Sequence, residues 1–154
     1  MDIRGYDFKM SEQLWSYEFY SEGPKGKIRK IVQFIPFNME GLNCFNLGFG
    51  DWDYEKKLFD DLIITDNKDS LKVLVTVAQT VLEFTNSIPD AIVHVKGSTP
   101  SRTRLYQIGI TKNWIEISQL FNVFGYTTNN QWRLFLKNVN YNAFMVYRKK
   151  NVYL

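Results

Sequence analysis

The spacing of apolar residues changes once along this chain, near residue 70, and that change restricts the folds that the chain can adopt. From Ser70 to Thr85 the apolar residues fall at 71, 74, 75, 78, 81 and 82, which is the spacing of one helical face. Val73, Val77 and Phe84 widen this face, so we expect the helix to be buried against the sheet. The preceding part contains short apolar or alternating segments that predict four β-strands, at 15–20, 28–37, 44–50 and 58–65. Because the connections between these strands are short, we expect them to pair antiparallel.

A strand and a second helix are predicted after the first helix. Residues 91–95 form a short apolar segment that is typical of a strand. Gly97 then marks a turn, Thr99 is a suitable N-cap, and Pro100 suits the first helical position, where its missing N–H costs nothing. The second helix is therefore predicted over residues 100–109.

The last third of the chain completes the predicted fold. Residues 122–128 and 142–150 predict two strands, and residues 112–121 could form a further helix. Leaving that helix aside, the order β-β-β-β-α-β-α-β-β predicts one α+β domain over residues 1–154, with packed helices on a mixed, largely antiparallel sheet. The predicted core comprises Leu71, Leu74, Val75, Ala78, Val81, Leu82, Ile92 or Val93, Leu105 and Ile108.

Composition narrows the class of protein. The net charge of +3 is too small to indicate a nucleic-acid-binding protein by itself. The single cysteine, Cys44, excludes an intramolecular disulfide and suits a reducing cytoplasm. The first ten residues contain no apolar signal-peptide core, and no apolar run approaches the length of a membrane span. We therefore expect a soluble cytoplasmic protein that does not bind membranes.

The second predicted helix begins with two arginines, Arg102 and Arg104, where the helix dipole favours negative charge. One explanation is that each arginine pairs with a carboxylate of the acidic segment 51–69. The other is that one of them joins the backbone N–H groups after Gly97 and Ser98 to bind an anion. The candidate ligand- or anion-binding residues are therefore Gly97, Ser98, Thr99, Arg102 and Arg104, with no cofactor identified.

The same helix carries Leu105 and Tyr106, followed shortly by Gly109. Together with the element order from the middle strands onward, these residues resemble the GCN5-related acetyltransferase fold, in which this helix often carries Asn-x-x-Ala-x-x-Leu-Tyr. Thr99 and Arg102 stand at the Asn and Ala positions of that pattern. The resemblance implies that Tyr106 acts as a catalytic general acid, which protonates the departing thiolate of coenzyme A. A half-buried structural tyrosine is the alternative.

The loop before the first helix departs from the acetyltransferase pattern. Such enzymes place glycines there, whose backbone N–H groups bind the coenzyme A pyrophosphate. Here the loop reads "TDNKDSLK", and no glycine occurs between Gly50 and Gly97. Asp66 and Asp69 add negative charge where a pyrophosphate would lie. A fold retained without its usual cofactor loop is the interpretation that these residues favour.

Residues 97–106 read Gly-Ser-Thr-Pro-Ser-Arg-Thr-Arg-Leu-Tyr. This segment, together with the first predicted helix, resembles a small bacterial family of unknown function whose motif differs only by alanine at the position of Ser101. The resemblance implies relatives but no particular activity.

Other candidate residues have simpler explanations. His94 is the only histidine, so no multi-histidine metal site can form, and a structural or surface role is expected for it. The four carboxylates Asp51, Asp53, Asp60 and Asp61 lack the spacing of a calcium loop and are interpreted as a solvated acidic turn.

Three functions remain open from the sequence. The first is a degenerate acetyltransferase-like module that binds an unidentified anionic ligand or a protein partner. The second is an active coenzyme A-dependent acyltransferase with an atypical cofactor loop. The third is a nucleic-acid-binding component, suggested by the basic segments "KGKIRK" and "YRKKNVY", in which cations lie beside apolar and aromatic residues.

Overall fold

The structure is a computed structural model, which describes residues 4–11, 15–60 and 65–150. Within these ranges it contains nine strands and three helices, and it confirms the predicted α+β class with a mixed, largely antiparallel sheet. The elements are β1 (Phe8–Met10), β2 (Ser16–Gly23), β3 (Gly26–Met39), β4 (Leu42–Asp53), β5 (Leu58–Asp60), α1 (Ser70–Ser87), β6 (Ile92–Val95), α2 (Pro100–Lys112), α3 (Trp114–Leu120), β7 (Phe121–Thr127), β8 (Trp132–Leu134) and β9 (Tyr141–Arg148).

The strands form one sheet in the order β1-β2-β3-β4-β6-β9-β7-β8. β4 and β6 are parallel neighbours joined through α1, whereas every other described pair is antiparallel. β5 pairs with the last residues of β4, and β6 pairs with β4 residues 44–47. β6 is therefore an internal strand, with β4 on one side and β9 on the other.

The structure contains more strands and helices than the sequence predicted. β1 and β8 have three residues each, which is too short to produce a readable alternation. The helix that the sequence left open is present as α3. Of the predicted strand 58–65, residues 58–60 form β5, and residues 61–64 lie outside the described residues.

The predicted buried face of α1 is confirmed in part, because Val73, Val77 and Phe84 are buried and Val81 and Leu82 pack half-buried against the core. Its buried side chains are Val73, Val75, Thr76, Val77, Thr80, Phe84 and Thr85, so that of the residues at 71, 74, 75, 78, 81 and 82 only Val75 is fully buried. The reason for the difference is that threonines take core positions on this helix. Their hydroxyls donate to carbonyls of the preceding turn, as from Thr76 to Lys72 (2.7 Å) and from Thr85 to Val81 (2.8 Å), so burial leaves no hydroxyl without a partner.

The core prediction is wrong for α2. Leu105 is 41% exposed and Ile108 is 38% exposed, whereas Val93 of β6 is fully buried as expected. The helix itself begins as predicted, because the Thr99 hydroxyl accepts a hydrogen bond from the Arg102 N–H at 3.2 Å. It continues three residues beyond the predicted end at 109 and stops at Lys112.

Aromatic side chains fill the space between α1 and the sheet. The Phe84 ring of α1 stacks on Phe34 with 4.1 Å between centroids and meets Phe45 edge-on at 4.8 Å. Val93 lies on the same face of the sheet, and alternation along β6 therefore places His94 on the opposite face. Among the described helices, none combines the length and apolar character needed to cross a membrane.

Candidate functional site

A cleft of about 740 Å³ opens at the C-terminal end of β6, and we call it the polar cleft. Three parts of the chain form its walls: the end of β6 with the turn after it, one side of α2, and the β7–β8 hairpin together with the segment around the start of β9. The lining residues are His94, Lys96, Gly97, Ser98, Thr99, Pro100, Thr103, Arg104, Gln107, Tyr126, Asn130, Trp132, Asn140, Tyr141, Asn142 and Ala143.

The turn that forms the floor of the polar cleft is fixed by hydrogen bonds and by close packing. The Gly97 N–H donates to the Thr103 hydroxyl at 3.0 Å, and that hydroxyl donates to the Thr99 carbonyl at 3.3 Å. A Cβ atom at Gly97 would lie 2.4 Å from the backbone nitrogen of Thr103, so only glycine lets α2 approach this closely. Because its own N–H is already bonded, Gly97 contributes to the cleft through the shape of the turn.

Arg102 and Arg104 reach different places. Arg102 donates from Nη1 to the Ser98 hydroxyl at 2.6 Å. It lines a second pocket of about 240 Å³ between the start of α1 and α2, which we call the α1–α2 pocket. Arg104 lines the polar cleft, and within the described residues it has neither a hydrogen bond nor an ion pair. The expected pairing with the acidic segment 51–69 is therefore wrong for Arg104.

The polar cleft carries positive charge without a compensating carboxylate. Lys96 and Arg104 both line it, whereas no aspartate or glutamate is among the described residues of its wall. The remaining polar side chains are amides, hydroxyls, the His94 imidazole and the Trp132 indole, none of which carries a negative charge. An anion that enters the cleft would therefore meet two cations and no like charge, which favours charge-assisted hydrogen bonds.

His94 lies in the wall of the polar cleft with its ring held in one orientation. Its Nδ1 lies 2.9 Å from Oδ1 of Asn46, the paired residue on β4. Because an amide oxygen only accepts, Nδ1 carries the proton and Nε2 keeps a lone pair. Burial lowers the pKa of His94, and the neighbouring charge of Lys96 lowers it further, so the ring is neutral at pH 7.

Tyr106 does not line the polar cleft. Its side chain packs against the core and lines the α1–α2 pocket together with an apolar cavity of about 90 Å³ beneath α1 and α2. Of the predicted site residues, Gly97, Ser98, Thr99 and Arg104 thus come together in the polar cleft. Arg102 and Tyr106 share the α1–α2 pocket instead.

The start of α1 does not fit the pyrophosphate of coenzyme A. Asp66 and Asp69 both line the α1–α2 pocket there and present carboxylates instead of glycine N–H groups. Asp69 accepts hydrogen bonds from the Tyr6 hydroxyl (2.7 Å) and the Ser21 hydroxyl (2.5 Å), which hold it in place. The buried Asn67 side chain fills the loop, donating to the Gly26 carbonyl at 2.9 Å. Although Lys30 and Arg102 also line this pocket, the two carboxylates balance their charge and leave no net positive charge for a pyrophosphate.

Sequence reasoning missed most of the polar cleft wall. Lys96 directly precedes Gly97 at the end of a predicted strand, so its position in the sequence could have included it. Trp132, Asn140 and Asn142 lie roughly 30–45 residues further along the chain. They reach the cleft because β9 pairs with both β6 and β7, an arrangement that the local pattern does not reveal.

The fold and the cleft together describe a one-sheet α+β protein with an electropositive polar site at the end of an internal strand. A model of DUF6934, described as a family of unknown function, matches residues 2–149, and the chain belongs to this family. No curated protein and no solved structure matches the chain.

Proposed function

We propose that this protein is a binding module whose polar cleft holds an anionic group. The observation that carries the proposal is the pair Lys96 and Arg104 in a cleft with no carboxylate among its described lining residues. Arg104 is the stronger candidate for direct contact, because it has no partner in the described protein and its fork of donors matches a phosphate or carboxylate. A small molecule and an acidic side chain of a protein partner would both supply such an anion.

The remaining motif residues shape the site in this proposal. Gly97 and Thr99 build the turn, and Ser98 lines the cleft while its hydroxyl accepts a hydrogen bond from Arg102. Arg102 is therefore a positioning residue, which holds Ser98 from the far side of the turn. Arg104 provides the charge.

We further propose that the fold is a variant of the acetyltransferase fold that has lost coenzyme A binding. The internal position of β6, its parallel pairing with β4 and the packing of α1 on the sheet support the relationship. The carboxylates of Asp66 and Asp69 in the α1–α2 pocket oppose coenzyme binding there. The competing function is an acyltransferase that uses Tyr106 as an acid, and the location of Tyr106 in that pocket favours it.

Thermal unfolding with and without inorganic pyrophosphate tests the anion site. A ligand at 100 times its dissociation constant stabilises the folded state by about 2.7 kcal/mol, so a measurable rise in Tm is expected. The Arg104→Ala variant should lose most of that rise. Lys112→Ala is the matched control, because it removes a cation from the same helix at a position that does not line the polar cleft, and its response to pyrophosphate should stay close to that of the unaltered protein. No rise for the unaltered protein, or an equal loss in both variants, would contradict the proposal.

The same assay with acetyl-coenzyme A separates the two functions. The coenzyme carries phosphates, so any stabilisation that it gives through the polar cleft should disappear in Arg104→Ala. Stabilisation that persists in Arg104→Ala and changes in Tyr106→Phe would locate the coenzyme in the α1–α2 pocket and support the acyltransferase instead.

A further inference from the structure

The aromatic side chains of the polar cleft are not explained by anion binding alone. Trp132 and Tyr126 lie in its wall with 4.9 Å between their ring centroids, and the His94 ring meets Trp132 edge-on at 6.0 Å. Trp132 remains 37% exposed. A tryptophan that keeps open surface in a cleft that two cations also line can stack a flat ring while the cations hold a phosphate attached to it.

The polar cleft also contains hydrogen-bonding side chains that could recognise the edge of such a ring. Asn130, Asn140 and Asn142 line the cleft, and their side-chain amides have no partner in the part of the chain that the structure describes. Gln107 donates from Nε2 to the Val139 carbonyl at 2.5 Å, which leaves its amide oxygen as an acceptor. An amide presents a donor and an acceptor side by side, which matches the polar edge of a nucleobase.

We infer that the ligand of the polar cleft is a nucleotide unit, with its base on Trp132 and its phosphate on Arg104 and Lys96. This inference rests on the proposed anion-binding function and specifies the ligand of that site. The cleft volume of about 740 Å³ lies within the range of about 300–1,000 Å³ that is typical of small-molecule sites. A free nucleotide and a residue of a single-stranded nucleic acid share this chemistry, and the experiment distinguishes the two.

Calorimetric titration of the unaltered protein with matched ligands tests the inference without relying on any variant. The probes are adenosine and cytidine 5′-monophosphate, the corresponding nucleosides, and ribose 5-phosphate. Because stacking on an aromatic side chain contributes about fivefold or more in affinity, at least one monophosphate should bind at least about fivefold more tightly than ribose 5-phosphate. It should also bind more tightly than its nucleoside, which lacks the phosphate.

Two tryptophan variants assign the ring contact. Trp132→Ala should lower the affinity for the preferred monophosphate to about that for ribose 5-phosphate, and leave the latter unchanged. Trp52→Ala is the matched control, because Trp52 lies away from the polar cleft and contacts the Arg29 guanidinium at 4.5 Å. Equal losses in the two variants would count against the inference.

The outcomes separate this inference from the proposed function. If ribose 5-phosphate binds as tightly as every monophosphate, the nucleotide inference is overturned while anion binding stands. If none of the phosphate ligands binds, both are overturned. A short single-stranded oligonucleotide that binds more than about tenfold tighter than the monophosphate, with affinity that falls steeply with salt, identifies nucleic acid as the source of the nucleotide. A weaker or equal oligonucleotide affinity identifies the free nucleotide.

Discussion

Replacing Lys30 with methionine should destabilise the protein strongly, because it leaves a buried charge without its partner. Lys30 is 1% exposed, and its Nζ forms an ion pair with Oδ1 of Asp51, which is 7% exposed. Lys30 also donates to the Thr65 carbonyl at 3.1 Å, and the Thr65 N–H donates to Oδ2 of Asp51 at 3.0 Å. This network ties the segment before α1 to β3 and β4.

The expected loss in the free energy of unfolding depends on which buried groups each substitution leaves without a partner. Lys30→Met retains the Asp51 carboxylate with one N–H donor and no cation, and removing one partner of a buried pair costs about 3–5 kcal/mol. The double variant Lys30→Met, Asp51→Leu removes both charges and leaves only the backbone groups of Thr65 without these partners. Its cost should be about 1–3 kcal/mol. The double variant is thus expected to be more stable than the single one.

Equilibrium unfolding in urea measures both free energies. The matched control is Lys9→Met, which breaks an ion pair with Glu18 in which the Lys9 side chain is 74% exposed, and it should cost less than about 1 kcal/mol. A Lys30→Met loss as small as that of the control would refute the reasoning. A double variant less stable than Lys30→Met would refute it as well.

Three further predictions concern the core, the turn and the histidine. Phe84→Ala should lower the free energy of unfolding in urea by about 3–5 kcal/mol, because Phe84 is 1% exposed. Leu74→Ala, at a half-buried position, should lower it clearly less. The reverse order would contradict the observed helix face. Gly97→Ala should lower Tm and weaken anion binding together, because the added Cβ would press on the backbone of Thr103; unchanged binding would contradict this. The folded-state pKa of His94 is lowered, so the neutral ring contributes stability that is present above pH 6.5 and lost as the pH falls below it. Unfolding measured from about pH 7 to pH 5 should show this loss of stability. The His94→Gln variant should show a smaller loss. An identical pH profile in that variant would show that other groups cause the loss.

Periodicity predicted the positions of most elements but only part of the buried face of α1. A count of apolar residues places Leu74 in the middle of the predicted face and leaves the threonines out of it. In the structure Thr76, Thr80 and Thr85 are fully buried, since each hydroxyl has a carbonyl of its own helix as acceptor. Helical threonines satisfy their own hydrogen bonds and can therefore replace aliphatic residues in a core, which a count of apolar residues does not detect.

The candidate site was predictable where it is local and unpredictable where it depends on the sheet. The turn from Gly97 to Thr99 and the helix after it follow from glycine, an N-cap and a proline in adjacent positions. The opposite wall, with Trp132, required knowledge that β9 lies between β6 and β7. That arrangement results from long-range strand pairing, for which the sequence near Trp132 carries no local signal.

Alternation along two short segments separates the site from the core. On β6, Val93 and Val95 face the buried cluster, whereas His94 lies on the opposite face and lines the polar cleft. On α2, a spacing of two residues sends Arg102 to the α1–α2 pocket and Arg104 to the polar cleft. Under the proposed function, the two arginines therefore make different contributions: one orders the turn and the other supplies the charge. Substituting both at once would hide this difference, and only the single variants can reveal it.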